Sequence, residues 1–179
     1  MLNNIAAIVG VGSTVLATDY DSIATVTVGA GGSSTITFSS IASTYTHLQI
    51  RAINLSSSTD SNIQMTFNSD TANNYSTHYI YGDGTTVGAS ATANRAFVVP
   101  NTMANTTNPL VFITDILEYK NTNINKTIRS IGGTDRNGSG YANFYSGNWR
   151  STAAISTITL TASAGQFNQY SSFALYGIK

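Results

Sequence analysis

Apolar and polar residues alternate one for one through most of this 179-residue chain. Almost nowhere do they recur at the three-and-four spacing of an amphipathic helix. In residues 45–67, Leu48, Ile50 and Ala52 fall on one side and His47, Gln49 and Arg51 on the other. A turn of Ser, Thr, Asp and Asn follows, and then Ile63, Met65 and Phe67 alternate with Gln64 and Thr66. This predicts a half-buried antiparallel hairpin, whose apolar face needs a cover because a lone hairpin is marginal in water. A second hairpin is predicted from residues 24–28 and 35–38 around Gly29-Ala30-Gly31-Gly32. Further strands are expected over 75–81, 96–99 (ending at Pro100), 110–119, 127–132, 142–145, 155–161 and 172–178, with 85–94 and 101–109 as surface loops. Apolar residues of both parities in 110–119 predict a strand covered on both faces.

About nine or ten short strands at turn-separated intervals make the expected fold all-β, an antiparallel β-sandwich of the jelly-roll kind. Its predicted interior comprises Leu48, Ile50, Ile63, Met65, Phe67, Phe112, Ile158, Leu160, Phe173 and Leu175. The expected organisation is an extended N-terminal arm, residues 1–18, followed by one sandwich domain, residues 19–179. The arm reads MLNNIAAIVGVGSTVLAT. Its apolar run is too short and too rich in Gly, Ser and Thr for a membrane span, and no Lys or Arg precedes it. Ile5, Ile8, Val9, Val11, Val15 and Leu16 are too few to fold alone, yet enough to lie in a partner's groove. The arm either anchors to a partner or completes a sheet of its own domain.

Charged residues are 9% of the chain, against roughly 25% in ordinary domains, and net charge is zero. Thr, Ser and Asn take their place, so little repulsion opposes self-association. The basic residues are scattered singly, which excludes the stripe that nucleic acid requires. With no cysteine there is no disulfide framework and no thiol chemistry.

Candidate chemistry is sparse. The single glutamate, Glu118, and its nearest acidic neighbour Asp115 are three residues apart on a strand, so they point to opposite faces and form no glycosidase pair. His47 and His78 have no nucleophile elbow to serve. Asp135-x-Asn137-x-Ser139-Gly140 opens like a calcium loop, but Ser146 stands where the closing glutamate belongs. The glycine-rich loop at 29–32 leads into a strand rather than the helix N-terminus of a phosphate site. The expectation is therefore no catalytic residue, no metal and no cofactor. One cluster stands out: Tyr75, Tyr79, Tyr81, Tyr141, Tyr145 and Trp149, whose rings suit packing, a subunit interface or stacking on sugar rings.

Several strings occur together: Tyr20-Asp21-Ser22-Ile23-Ala24-Thr25-Val26-Thr27-Val28-Gly29, Tyr45-Thr46-His47-Leu48-Gln49-Ile50-Arg51, Phe67-Asn68-Ser69-Asp70, Asn74-Tyr75-Ser76, and the ending Tyr170-Ser171-Ser172-Phe173-Ala174-Leu175-Tyr176-Gly177-Ile178. In these the chain resembles small β-rich structural proteins of tailed bacteriophage virions, over about residues 20–179. The resemblance implies a non-enzymatic virion component on the particle exterior, with a capsid decoration (cement) protein as the leading reading. The alternative is a tail-fibre or receptor-binding tip that grips host-surface glycans. Expected partners are further copies of the chain, a trimer by analogy with such proteins, and other virion proteins, the major capsid protein first. The strings are strand and turn patterns, so no functional residue is carried over.

Overall fold

The computed structural model describes residues 19–58, 61–94, 96–101 and 105–179. Among these there are twelve strands and no helix: β1 Tyr20–Thr27, β2 Thr35–Phe38, β3 His47–Asn54, β4 Asn62–Phe67, β5 Tyr75–Gly82, β6 Val87–Asn94, β7 Phe97–Asn101, β8 Leu110–Leu117, β9 Lys126–Asp135, β10 Gly140–Trp149, β11 Ile158–Ala162 and β12 Ser172–Ile178. They form an eight-stranded sheet in the order β1-β12-β3-β8-β9-β10-β5-β6 and a four-stranded sheet in the order β2-β11-β4-β7. Every strand pairing is antiparallel. The sandwich expected from the alternation is present.

Its topology is a jelly roll with two additions. With β5, β6, β9 and β10 set aside, the remaining strands fall into two sheets of four, β1-β12-β3-β8 and β2-β11-β4-β7. The chain crosses from one sheet to the other at each step except from β4 to β7, which pair within the small sheet, as in a double Greek key. The other four strands extend the large sheet past β8, so that it overhangs the small one. β7 packs against β9, β10 and β5 beneath that overhang.

All ten expected interior residues are buried. The two expected hairpins, however, do not form. β3 and β4 lie in opposite sheets, as do β1 and β2, and their apolar sides meet across the core. The reason lies in the connections. Residues 55–61 are too long for a tight hairpin turn, and their polar groups bind elsewhere: Leu55 N–H donates to Ser171 Oγ (2.9 Å), and Ser56 bridges Phe167. In the 28–34 connection, Gly32 takes the left-handed conformation (φ 67°), and Ser33 exchanges backbone bonds with Phe167. One loop, 163–171, thus holds both crossovers.

Three further expectations change. Residues 85–94 contain strand β6 rather than a loop, a small-residue strand paired with β5 over its whole length. β7 runs through Pro100, which an edge strand tolerates. Among the described residues β8 is covered on one face alone: Leu110, Phe112, Thr114 and Ile116 are buried, while Val111 and Ile113 are 49% and 41% exposed.

Candidate functional site

The six aromatic residues singled out in the sequence all project from β5 and β10 to the inner face of the large sheet, because they share one parity on neighbouring strands. Tyr75, Tyr145 and Trp149 are buried there. Tyr75 stacks on Trp149 with ring centres 6.3 Å apart, and Phe67 tilts against both. Tyr145 stacks on Tyr79 at 4.9 Å, and the row continues through Tyr81 to Tyr141, half-buried under the overhang. The polar atoms of Tyr75 and Trp149 are satisfied as the cluster packs. Tyr75 Oη accepts from Phe67 N–H (2.9 Å), and burial pushes its pKa up to about 12. Asp70 accepts from the Asn74 amide, the Trp149 indole and Ala72 N–H, which together hold its carboxyl below the ordinary value. The arm residues expected to anchor or to complete a sheet, Ile5, Ile8, Val9, Val11, Val15 and Leu16, lie outside the described residues.

The other candidates are dispersed. His47 Nδ1 accepts from Glu118 N–H (3.0 Å) beyond the end of β8. Asp115 bonds Gln49 Nε2 (2.8 Å) and pairs with Arg129 (3.4 Å) on the outer face of the large sheet. Asp135 Oδ1 is taken by Asn137 N–H (2.8 Å) within the β9–β10 turn. No group of three or more His, Cys, Asp or Glu side chains converges among the described residues.

What the structure does bring together is a surface that the sequence reading missed. The outer face of the large sheet carries a continuous cross-strand row: Ile113 on β8, Ile131 on β9, Phe144 on β10, Ile80 on β5 and Ala89 on β6, each opposite the next. A parallel row runs Ile53, Val111, Gly133, Ala142, Gly82 and Val87. The side chains are open to solvent, with Ile131 60%, Ile80 59% and Phe144 42% exposed. Shallow apolar furrows follow the band, one between Ile53, Val111, Ile113 and Ile131, another between Ile80, Ala89 and Phe144. Contiguous apolar patches of this kind are uncommon on monomers and mark contact surfaces.

The next row down the same face is polar. Gln49, Asp115, Arg129, Ser146 and His78 stand opposite one another. Arg51 Nε donates to Gln49 Oε1 (2.7 Å), and its guanidinium lies 5.4 Å and 5.0 Å from the ring centres of Tyr20 and Tyr176. Charge thus borders the apolar band, like the polar rim of an interface.

The opposite outer face differs. On the small sheet, Thr37, Thr159 and Thr66 form one row and Thr35, Thr161 and Gln64 another, with Thr37 and Thr159 hydroxyls 3.3 Å apart. One side of the sandwich is threonine-rich and the other apolar. A signal for the apolar side was present in the sequence: Val111 and Ile113 interrupt the polar positions of β8, and the reading assigned them to a second covering layer. No family model, curated protein or solved structure matches the chain.

Proposed function

We propose that the protein is a non-catalytic structural component of a tailed-bacteriophage particle, a capsid decoration protein on the particle exterior. It seats the apolar outer face of its large sheet on the shell built by the major capsid protein and turns its threonine-rich sheet to solvent. The observation that carries this reading is the apolar band across β8, β9, β10, β5 and β6. β8 has the pattern of a doubly covered strand with one cover supplied by the described residues, and the reading assigns the other to a partner. The contrast between the two outer faces gives the molecule one docking orientation. The resemblance of its strand and turn strings to virion proteins supports the same reading, and the low charge suits a crowded lattice.

The test is direct. Purified protein added to particles lacking it should bind in copy numbers tied to capsid subunits, and Ile131→Lys should abolish binding while leaving the fold intact. Binding in only a few copies at the tail, or binding unaffected by Ile131→Lys and Phe144→Lys, would overturn the reading. The half-buried rings of Tyr79, Tyr81 and Tyr141 favour a second reading, a receptor-binding tip, because sugar rings stack on such faces. Glycan binding lost with Tyr81→Ala and retained with Ile131→Lys would select it.

A further inference from the structure

A sandwich of two open sheets has four edge strands, and three of these are blunted. β2 is four residues long. β7 contains Pro100, which has no amide hydrogen, and its pairing with β4 shifts register between Asn62 and Ile63. β1 shifts register between Ser22 and Ala24, and Asp21 on it is paired with Lys179 at 2.9 Å. Short length, proline, irregular register and charge are the means by which sheets avoid edge-to-edge contact.

β6 has none of them. It pairs with β5 over all eight residues without a shift, carries no charge and no proline, and has no strand on its other side among the described residues. Gly88, Ala89, Ser90, Ala91, Thr92 and Ala93 leave nothing bulky to hold a neighbour away. Its free side therefore offers alternate N–H and C=O groups in regular register.

We propose that β6 pairs antiparallel with β6 of a second copy of this chain, joining two large sheets into one across a two-fold axis. Three features favour a second copy as occupant. A strand without charge meets itself without repulsion. A register centred on Ser90 sets Ala89 opposite Ala91 and Val87 opposite Ala93, so small residues face small ones and Val87, 86% exposed in the single chain, gains a neighbour. A two-fold axis perpendicular to the sheet also leaves both apolar outer faces on the same side of the joined sheet. Edge pairing yields an isologous dimer rather than the trimer expected by analogy. The inference stands on the strand edge alone and does not depend on the particle reading.

An edge seam buries less than the roughly 1,200 Å² of a stable complex, so the expected association is reversible and concentration-dependent. Sedimentation of the full chain over a concentration series should show a monomer–dimer equilibrium. Ala91→Lys should weaken it at least ~10-fold without changing circular dichroism, whereas Ile131→Lys should leave it unchanged. The cysteine-free chain permits a second measurement. Ser90→Cys should give a disulfide between two copies on mild oxidation, because residues opposite each other across an antiparallel seam bring their Cβ atoms within about 4.5–5.5 Å. Thr37→Cys, on the other sheet, should not. A monomer at every concentration, a trimer, or a dimer lost with Ile131→Lys and kept with Ala91→Lys would each overturn the proposal.

Discussion

The indole Nε1–H of Trp149 donates a 2.7 Å hydrogen bond to Oδ2 of Asp70, tying the end of β10 to the β4–β5 connection. The same carboxylate accepts from Asn74 Nδ2 and Ala72 N–H, both at 2.9 Å. The core aromatic cluster is therefore pinned to a loop by one charged group, and Trp149 is the chain's only tryptophan.

These donors lower the Asp70 pKa from its ordinary value of 3.8. A carboxylate depressed in the folded state adds stability above its unfolded pKa and loses it as pH falls through the folded one. Denaturant midpoints followed by Trp149 fluorescence should accordingly drop below about pH 4. Asp70→Asn should flatten that drop and cost about 1 kcal/mol at neutral pH. An unchanged acid limb in the variant would refute the assignment.

Lys126 is fully buried, and its ammonium donates to the carbonyls of Asn121 (2.6 Å), Ile124 (2.9 Å) and Thr152 (3.1 Å). It closes the β8–β9 loop onto the segment after β10. Lys126→Met should destabilise by about 2–3 kcal/mol, since three carbonyls lose their donor. Burial lowers the Lys126 pKa from 10.5, so the unfolded chain binds the extra proton and stability should rise with pH in the window below 10.5. Tyr75, raised from 10.0 to about 12, acts oppositely and removes stability as pH climbs from 10 toward 12. Urea titrations of Lys126→Met and Tyr75→Phe at pH 7, 9 and 11 would separate the two.

Gly147 lies under the ring of Phe97, where a Cβ would overlap the ring and sit 3.1 Å from the Ser76 carbonyl. Gly147→Ala should cost about 1–3 kcal/mol by overpacking, and less in a Phe97→Leu background. Equal costs in both backgrounds, measured by thermal unfolding, would show that the ring is not the obstacle.

Ile128 and Ile131 are three residues apart in β9 and so point to opposite faces, the first fully buried and the second 60% exposed. Ile128→Ala should cost about 2–5 kcal/mol. Ile131→Lys should fall within about 0.5 kcal/mol of the parent and remove binding of an apolar-surface dye. A large stability loss in Ile131→Lys would mean that the outer face is covered within the chain itself.

The alternation along the chain determined which side of each strand faces inward. Leu48, Ile50, Ile63, Met65, Phe67, Leu160 and Leu175 are all buried as read, because period 2 is a local consequence of the pleat. It could not determine which strands pair. Two strands of a hairpin and two strands facing each other across a sandwich have the same alternation, so β3 and β4 read as partners while their hydrogen bonds go to β12 and β8, and to β11 and β7. Those pairings join residues far apart in sequence, such as Leu160 with Met65, and rest on connection length and crossover contacts that alternation does not encode. Strand β6 was hidden for a related reason, since small exposed residues carry no burial signal until β5 supplies the backbone partner. The apolar outer face was likewise a tertiary decision. Val111 and Ile113 were visible as apolar, but only the strand order sets Ile131, Phe144 and Ile80 beside them in one row and leaves that row uncovered by the described chain.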